Sequence, residues 1–166
     1  MVTDNKIASD FSLSAKAVVH QGDCMELLRS IPNESIQLII TSPPYNIGKS
    51  YEKTASLDKY VELQEAVITE SLRILKPSGS ICWQVGNFIE KGAGDIIPLD
   101  IVLYPIFSKL GFKLRNRIVW HFEHGLHCSN RLSGRYETIL WFTKTDDYHF
   151  DVDPIRSLLS ISSSNI

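Results

Sequence analysis

Ile36-Gln37-Leu38-Ile39-Ile40-Thr41-Ser42-Pro43-Pro44-Tyr45 is an apolar run that passes directly into a rigid polar turn. A short run of this kind, bounded by turn residues, reads as a strand of a buried sheet. Pro43 and Pro44 fix two consecutive φ angles and remove two backbone donors, so their carbonyls remain as acceptors with no N–H beside them. Ser42 falls at the carboxyl end of the strand, where open α/β sheets place ligands, and Tyr45 offers a flat face for a planar group. The turn is suited to an aromatic ring that carries an amino group. The same residues also read as a stiff connection and nothing more.

Thr41-Ser42-Pro43-Pro44-Tyr45 resembles the catalytic motif of DNA methyltransferases that modify the exocyclic amino group of cytosine (N4) or adenine (N6). Gly22-Asp23-Cys24 followed by Ile31-Pro32-Asn33-Glu34-Ser35 is similar to the opening block of that family. Arg73-Ile74-Leu75-Lys76-Pro77-Ser78-Gly79-Ser80 and Arg135-Tyr136-Glu137-Thr138-Ile139-Leu140-Trp141-Phe142 are similar to its later segments. The order matches the permuted subgroup, in which the catalytic motif lies near the N-terminus. The resemblance covers about residues 17 to 156.

A chain of 166 residues with 43% hydrophobic and 22% charged residues has an ordinary globular composition, enough for one core. The formal net charge of −2 gives no overall basic field, so any contact with nucleic acid must rest on a local patch. Cys24, Cys82 and Cys128 are widely spaced, form no CxxC pair and follow no signal-like or membrane-spanning run, which reads as a reduced cytoplasmic protein without disulfides.

Along the chain, residues 1–16 show no clear period and are expected to form an arm, and Ala17–His20 a short strand ending at Gly22-Asp23. Asp23 has two readings, as an acceptor for a nucleoside's hydroxyl or amino groups and as the N-cap of a helix starting near Cys24. Residues 46–56 are polar, with Gly48, Lys49 and Lys53, the composition of a loop over a site whose lysines meet phosphates. Leu57, Val61, Ile68, Leu72 and Leu75 recur at helical spacing, with Pro77 and Gly79 closing the helix and its apolar side facing the core. Ser80–Val85 reads as a buried strand, and Gly86 to Asp95 as a loop whose Gly92-Ala93-Gly94 lacks the spacing of a dinucleotide fingerprint. Pro98–Leu110 reads as a crossover helix stopped by Gly111, and Asn116–Phe122 and Tyr136–Thr143 as strands able to pair antiparallel. The expected fold is therefore α/β: a partial Rossmann-like methyltransferase sheet, mostly parallel, with an antiparallel C-terminal hairpin.

Between those last strands, His121, His124, His127 and Cys128 suggest a metal site, but structural zinc takes its ligands from two separated pairs, so no metal is expected. The loop instead reads as one whose Arg131 and Arg135 face DNA phosphate or line the pocket for the target base, or else as a solvated surface loop.

The resemblance implies direct transfer of a methyl group from S-adenosylmethionine to the exocyclic amine of a base flipped out of double-stranded DNA. Ser42 and the Pro43 carbonyl would accept the amino hydrogens, with Pro44 holding the turn and Tyr45 stacking on the base. Asp23 and Thr41 would contact the cofactor, and Ser at the first motif position leans toward N4-cytosine over N6-adenine. The family's Phe-x-Gly-x-Gly cofactor loop occurs nowhere in the 166 residues. A truncated product, one half of a split enzyme and an engineered piece are the three explanations, and an exposed sheet edge or apolar patch is expected to follow. The organisation expected is an arm (1–16), an incomplete catalytic domain (17–156) and an irregular tail (157–166). Two functions stand side by side: a DNA amino-methyltransferase of a restriction-modification or solitary system, or a noncatalytic remnant or split subunit that binds DNA or a complementary chain.

Overall fold

A computed structural model describes residues 7–8, 10–45, 55–90, 94–123 and 128–154. In chain order the elements are β1 (Ile7–Ala8), β2 (Ala17–Val18), α1 (Cys24–Ser30), β3 (Ile36–Thr41), α2 (Leu57–Ile74), β4 (Leu75–Val85), β5 (Asn87–Ile89), β6 (Ile96–Pro98), α3 (Leu99–Lys109), β7 (Lys113–His121) and β8 (Tyr136–Thr143).

The principal sheet has the order β3-β4-β8-β7. β3 pairs parallel with β4, and β8 pairs antiparallel with both β4 and β7. Three of the four strands therefore run in one direction and β8 opposes them, so the sheet is mixed, with the expected antiparallel hairpin formed by β7 and β8. β1 pairs parallel with β2, so two residues of the N-terminal arm, Ile7 and Ala8, join a strand pair. β5, inside the stretch Gly86 to Asp95 expected to be a loop, pairs antiparallel with β6 just after it, and Pro98, expected in the crossover helix, closes β6 as the N-cap of α3.

α2 begins at Ser56, whose side chain accepts from the Lys59 N–H, and ends at Ile74. Leu75, expected in the helix, is the first residue of β4: its backbone is already extended, and the following Lys76 is kept out of the helical region by Pro77. Pro77 has no N–H for the ladder, and the register slips between Ile36 and Leu38 opposite it, so that Leu38 pairs with Ser80. Gly79 is required there because a Cβ would lie 2.7 Å from the Leu75 side chain. At the end of α3, Gly111 takes φ +85°, a conformation that ends a helix readily only with glycine.

The core lies between one face of the sheet and the two long helices. Ile81, Trp83 and Val85 of β4 and Leu140 and Phe142 of β8 meet Tyr60 and Ile68 of α2 and Leu99, Leu103, Ile106 and Phe107 of α3. The alternation of buried and half-buried residues along β4 and β8 puts Cys82, Gln84, Glu137 and Ile139 on the opposite face. Among the described residues β3 is a terminal strand with a neighbour on one side only.

Candidate active site

The parallel pair β3 and β4 brings Ser42–Tyr45 and Gln84–Gly86 to the same end of the sheet, and the opposed direction of β8 puts its amino-terminal residues there as well. Thr41, the last residue of β3, pairs with Trp83, so the turn starts directly above the β4 terminus. Crossing the pleat from β4 to β8, Val85 pairs with Thr138 and Gln84 with Ile139, which sets Glu137 beside the turn.

There the side chains form a chain of hydrogen bonds. Ser42 Oγ lies 2.6 Å from the Tyr45 hydroxyl, Tyr45 donates to Glu137 Oε2 at 3.0 Å, and Gln84 Nε2 donates to the same oxygen at 2.6 Å. Ser42 is exposed, while Tyr45, Gln84 and Glu137 are half-buried. Burial pushes the Tyr45 phenol up to about 12, with the Glu137 carboxylate adding to the rise against a lowering hydrogen bond from Ser42. The ring also packs on Gly86, where a Cβ would come within 3.3 Å of Tyr45 Cδ2 and Cε2. The turn thus carries an exposed hydroxyl and two proline carbonyls beside an aromatic ring fixed at its far end. Chemically it can accept hydrogen bonds and hold a planar group; it contains no activated nucleophile.

The predicted residues divide as follows. Ser42, Pro43, Pro44 and Tyr45 are contiguous at the strand end, with Pro43 half-buried and Pro44 exposed. Asp23 caps α1, its Oδ1 accepting from the Met25 N–H at 2.9 Å, and its residue remains exposed. Burial, followed by the Asp23 carboxylate, pushes the neighbouring Cys24 thiol up. An exposed carboxylate suits a nucleoside's hydroxyl or amino groups, so the chemistry of Asp23 and of the half-buried Thr41 fits the adenosine part of S-adenosylmethionine. Arg131 is exposed, and Arg135 donates to the Glu123 carbonyl at 3.0 Å, which ties the two sides of the β7–β8 connection together. Lys49 and Lys53 lie outside the described residues, as do His124 and His127. All three cysteines are free. Glu137, Gln84 and Gly86 are the contributions that sequence reasoning missed as site residues. The available signal was a carboxylate at the start of the apolar strand Tyr136–Thr143.

An open α/β sheet with an acceptor-bearing turn at the carboxyl ends of its parallel strands defines a class of ligand-binding and group-transfer domains. Residues 36–163 match the N6/N4 DNA methylase family, and the chain belongs to it. It is 49% identical over 152 residues to the type II methyltransferase M.BglII of Bacillus subtilis, which covers 92% of this chain and 42% of that protein. It is 31% identical to the DNA adenine methyltransferase YhdJ of Escherichia coli, covering 87% of this chain and 47% of the relative. Among solved structures, the PvuII cytosine-N4-specific DNA methyltransferase superposes with a TM-score of 0.72 at 27% identity, over 86% of this chain and 53% of that one. The chain thus spans less than half the length of the M.BglII and YhdJ relatives and about half of the PvuII chain.

Proposed function

We propose that this chain is the catalytic portion of a DNA amino-methyltransferase, transferring a methyl group from S-adenosylmethionine to the exocyclic amine of a flipped-out base, with N4-cytosine favoured over N6-adenine. The observation that carries the reading is the Ser42–Tyr45 turn, held by Glu137 and Gln84 at the carboxyl ends of β3 and β4. Ser at the head of the motif supports cytosine. The relatives include both a cytosine-N4-specific and an adenine enzyme.

When bound, the cofactor supplies an electrophilic methyl group. The amine of a base is a poor nucleophile because its lone pair is conjugated into the ring, so the protein's task is to position it and accept its hydrogens. In this reading Ser42 Oγ and the Pro43 carbonyl accept them, Pro44 stiffens the turn and Tyr45 stacks on the extruded base. Asp23 and Thr41 contact the cofactor, and Lys49, Lys53, Arg131 and Arg135 meet the DNA backbone. The setting is a restriction-modification system or a solitary methylase acting on DNA in the cytoplasm.

A second reading is a subunit that acts only with a complementary chain carrying a Phe-x-Gly-x-Gly stretch, or binds DNA without catalysis. Incubating DNA with radiolabelled S-adenosylmethionine and this chain, alone and with a chain carrying that loop, separates them. Label on base N4 or N6 in either incubation supports methyl transfer, and its lack in both, with an intact fold, defeats it. Tyr45→Ala is expected to reduce the rate by about tenfold or more, since base stacking on an aromatic side chain contributes about 1–3 kcal/mol.

A further inference from the structure

The hydrogen bonds from Ser42 to Glu137 have a direction. A carboxylate oxygen only accepts, and Glu137 Oε2 receives both the Gln84 amide and the Tyr45 hydroxyl. The Tyr45 hydroxyl has one proton, and that proton is committed to Glu137. The 2.6 Å contact between Ser42 Oγ and Tyr45 is therefore made with the proton of Ser42. This leaves the exposed side of Ser42 Oγ with lone pairs only, which is the polarity an incoming amino group requires. A Tyr45 hydroxyl that donated to Ser42 instead would turn the serine proton outward, against the amino hydrogens.

Resting on the amino-methylation reading above, we propose that Glu137 is a positioning residue for the transfer: acting through Tyr45, it fixes Ser42 as an acceptor and receives the proton that the amine sheds. Formation of the N–C bond, with loss of the methyl–sulfur bond, leaves the amino nitrogen with one proton in excess. That proton passes to Ser42 Oγ, the Ser42 proton to the Tyr45 oxygen, and the Tyr45 proton to Glu137 Oε2. Both hydroxyls keep one proton each, and the carboxyl group is neutral until it releases its proton to solvent. Gln84, donating to the same oxygen, holds the Glu137 side chain in place throughout. Glu137 serves this role because β8 runs against β3 and β4, so its first residues stand at their carboxyl ends.

Glu137→Gln preserves the shape of the side chain and an acceptor oxygen but removes the charge and the capacity to take up the proton. The expected result, with the protein supplied in whichever form methylates DNA, is a kcat lower by roughly a hundredfold with KM for DNA unchanged, the range of a lost general base. In a Tyr45→Phe background the same substitution is expected to cost nothing further, because the chain is already cut. A separate readout needs no turnover: with ¹³Cζ-labelled tyrosine and Tyr45→Phe for assignment, the Tyr45 signal should titrate at lower pH in Glu137→Gln than in the wild type. Wild-type methylation with an unaltered rate in Glu137→Gln, or an unaltered Tyr45 titration, overturns the role of Glu137 alone. No amino methylation by the wild-type chain, alone or complemented, overturns both proposals.

Discussion

At the scale of single residues, Tyr45 is held from two sides, by Glu137 at its hydroxyl and by Gly86 against its ring. The contact with Gly86 makes a sharp test of how much the ring's placement matters. Gly86 does not have a positive φ, so alanine is tolerated by the backbone, yet its Cβ would sit 3.3 Å from the ring and push it by a few tenths of an ångström. Gly86→Ala should keep the melting temperature near that of the wild type and lower the methylation rate, a combination checked by calorimetry and a label-transfer assay. The raised phenol pKa gives a second expectation. The unfolded chain ionises Tyr45 near 10 and the folded chain near about 12, so the folded state binds the proton more tightly. Stability from this group is complete below pH 10 and is lost as pH rises from 10 toward 12. Denaturation midpoints across that window should fall less steeply in Tyr45→Phe than in the wild type.

At the scale of elements, the site depends on β4 and β8 being held against α3, and an aromatic cluster lies at that contact. Phe107 is fully buried, stacks on Phe142 at 4.3 Å between centroids, and meets Trp83 and Phe112 edge-on at 5.6 and 5.4 Å. Phe107→Ala should destabilise the fold by about 3–5 kcal/mol, measured by urea denaturation, through lost burial and the cavity left between helix and sheet. α2, α3 and the β7–β8 hairpin are legible in the sequence because each carries a sustained period or a stop signal, as Gly111 does for α3. The beginning of β4 is not, because Leu75 continues the helical period of α2 and only the effect of Pro77 on Lys76 ends it. The candidate site is legible at Ser42–Tyr45, where it is contiguous in sequence. Glu137 is 92 residues from Tyr45, and only the opposed direction of β8 brings the two together.

At the scale of the whole molecule, the sheet is covered unequally. Ile39 of β3 packs against the core under α2 and α3, while its neighbours Leu38 and Ile40, on the opposite face of this terminal strand, are 51% and 73% exposed. An apolar face beside a strand edge that is unpaired among the described residues is a surface for another chain or for self-association. In the proposed reading the turn accepts the target amine and Asp23 and Thr41 face adenosine, while the 166 residues contain no Phe-x-Gly-x-Gly stretch to bring backbone close to the rest of the methyl donor. Small-ligand affinity depends on enclosure, since a pocket typically buries most of the ligand's surface. A chain offering only one side of that enclosure should bind S-adenosylmethionine too weakly for calorimetric titration to detect at micromolar concentrations. Adding a chain with the Phe-x-Gly-x-Gly stretch should restore measurable binding, and micromolar affinity in the isolated chain would show that its own residues already complete the pocket.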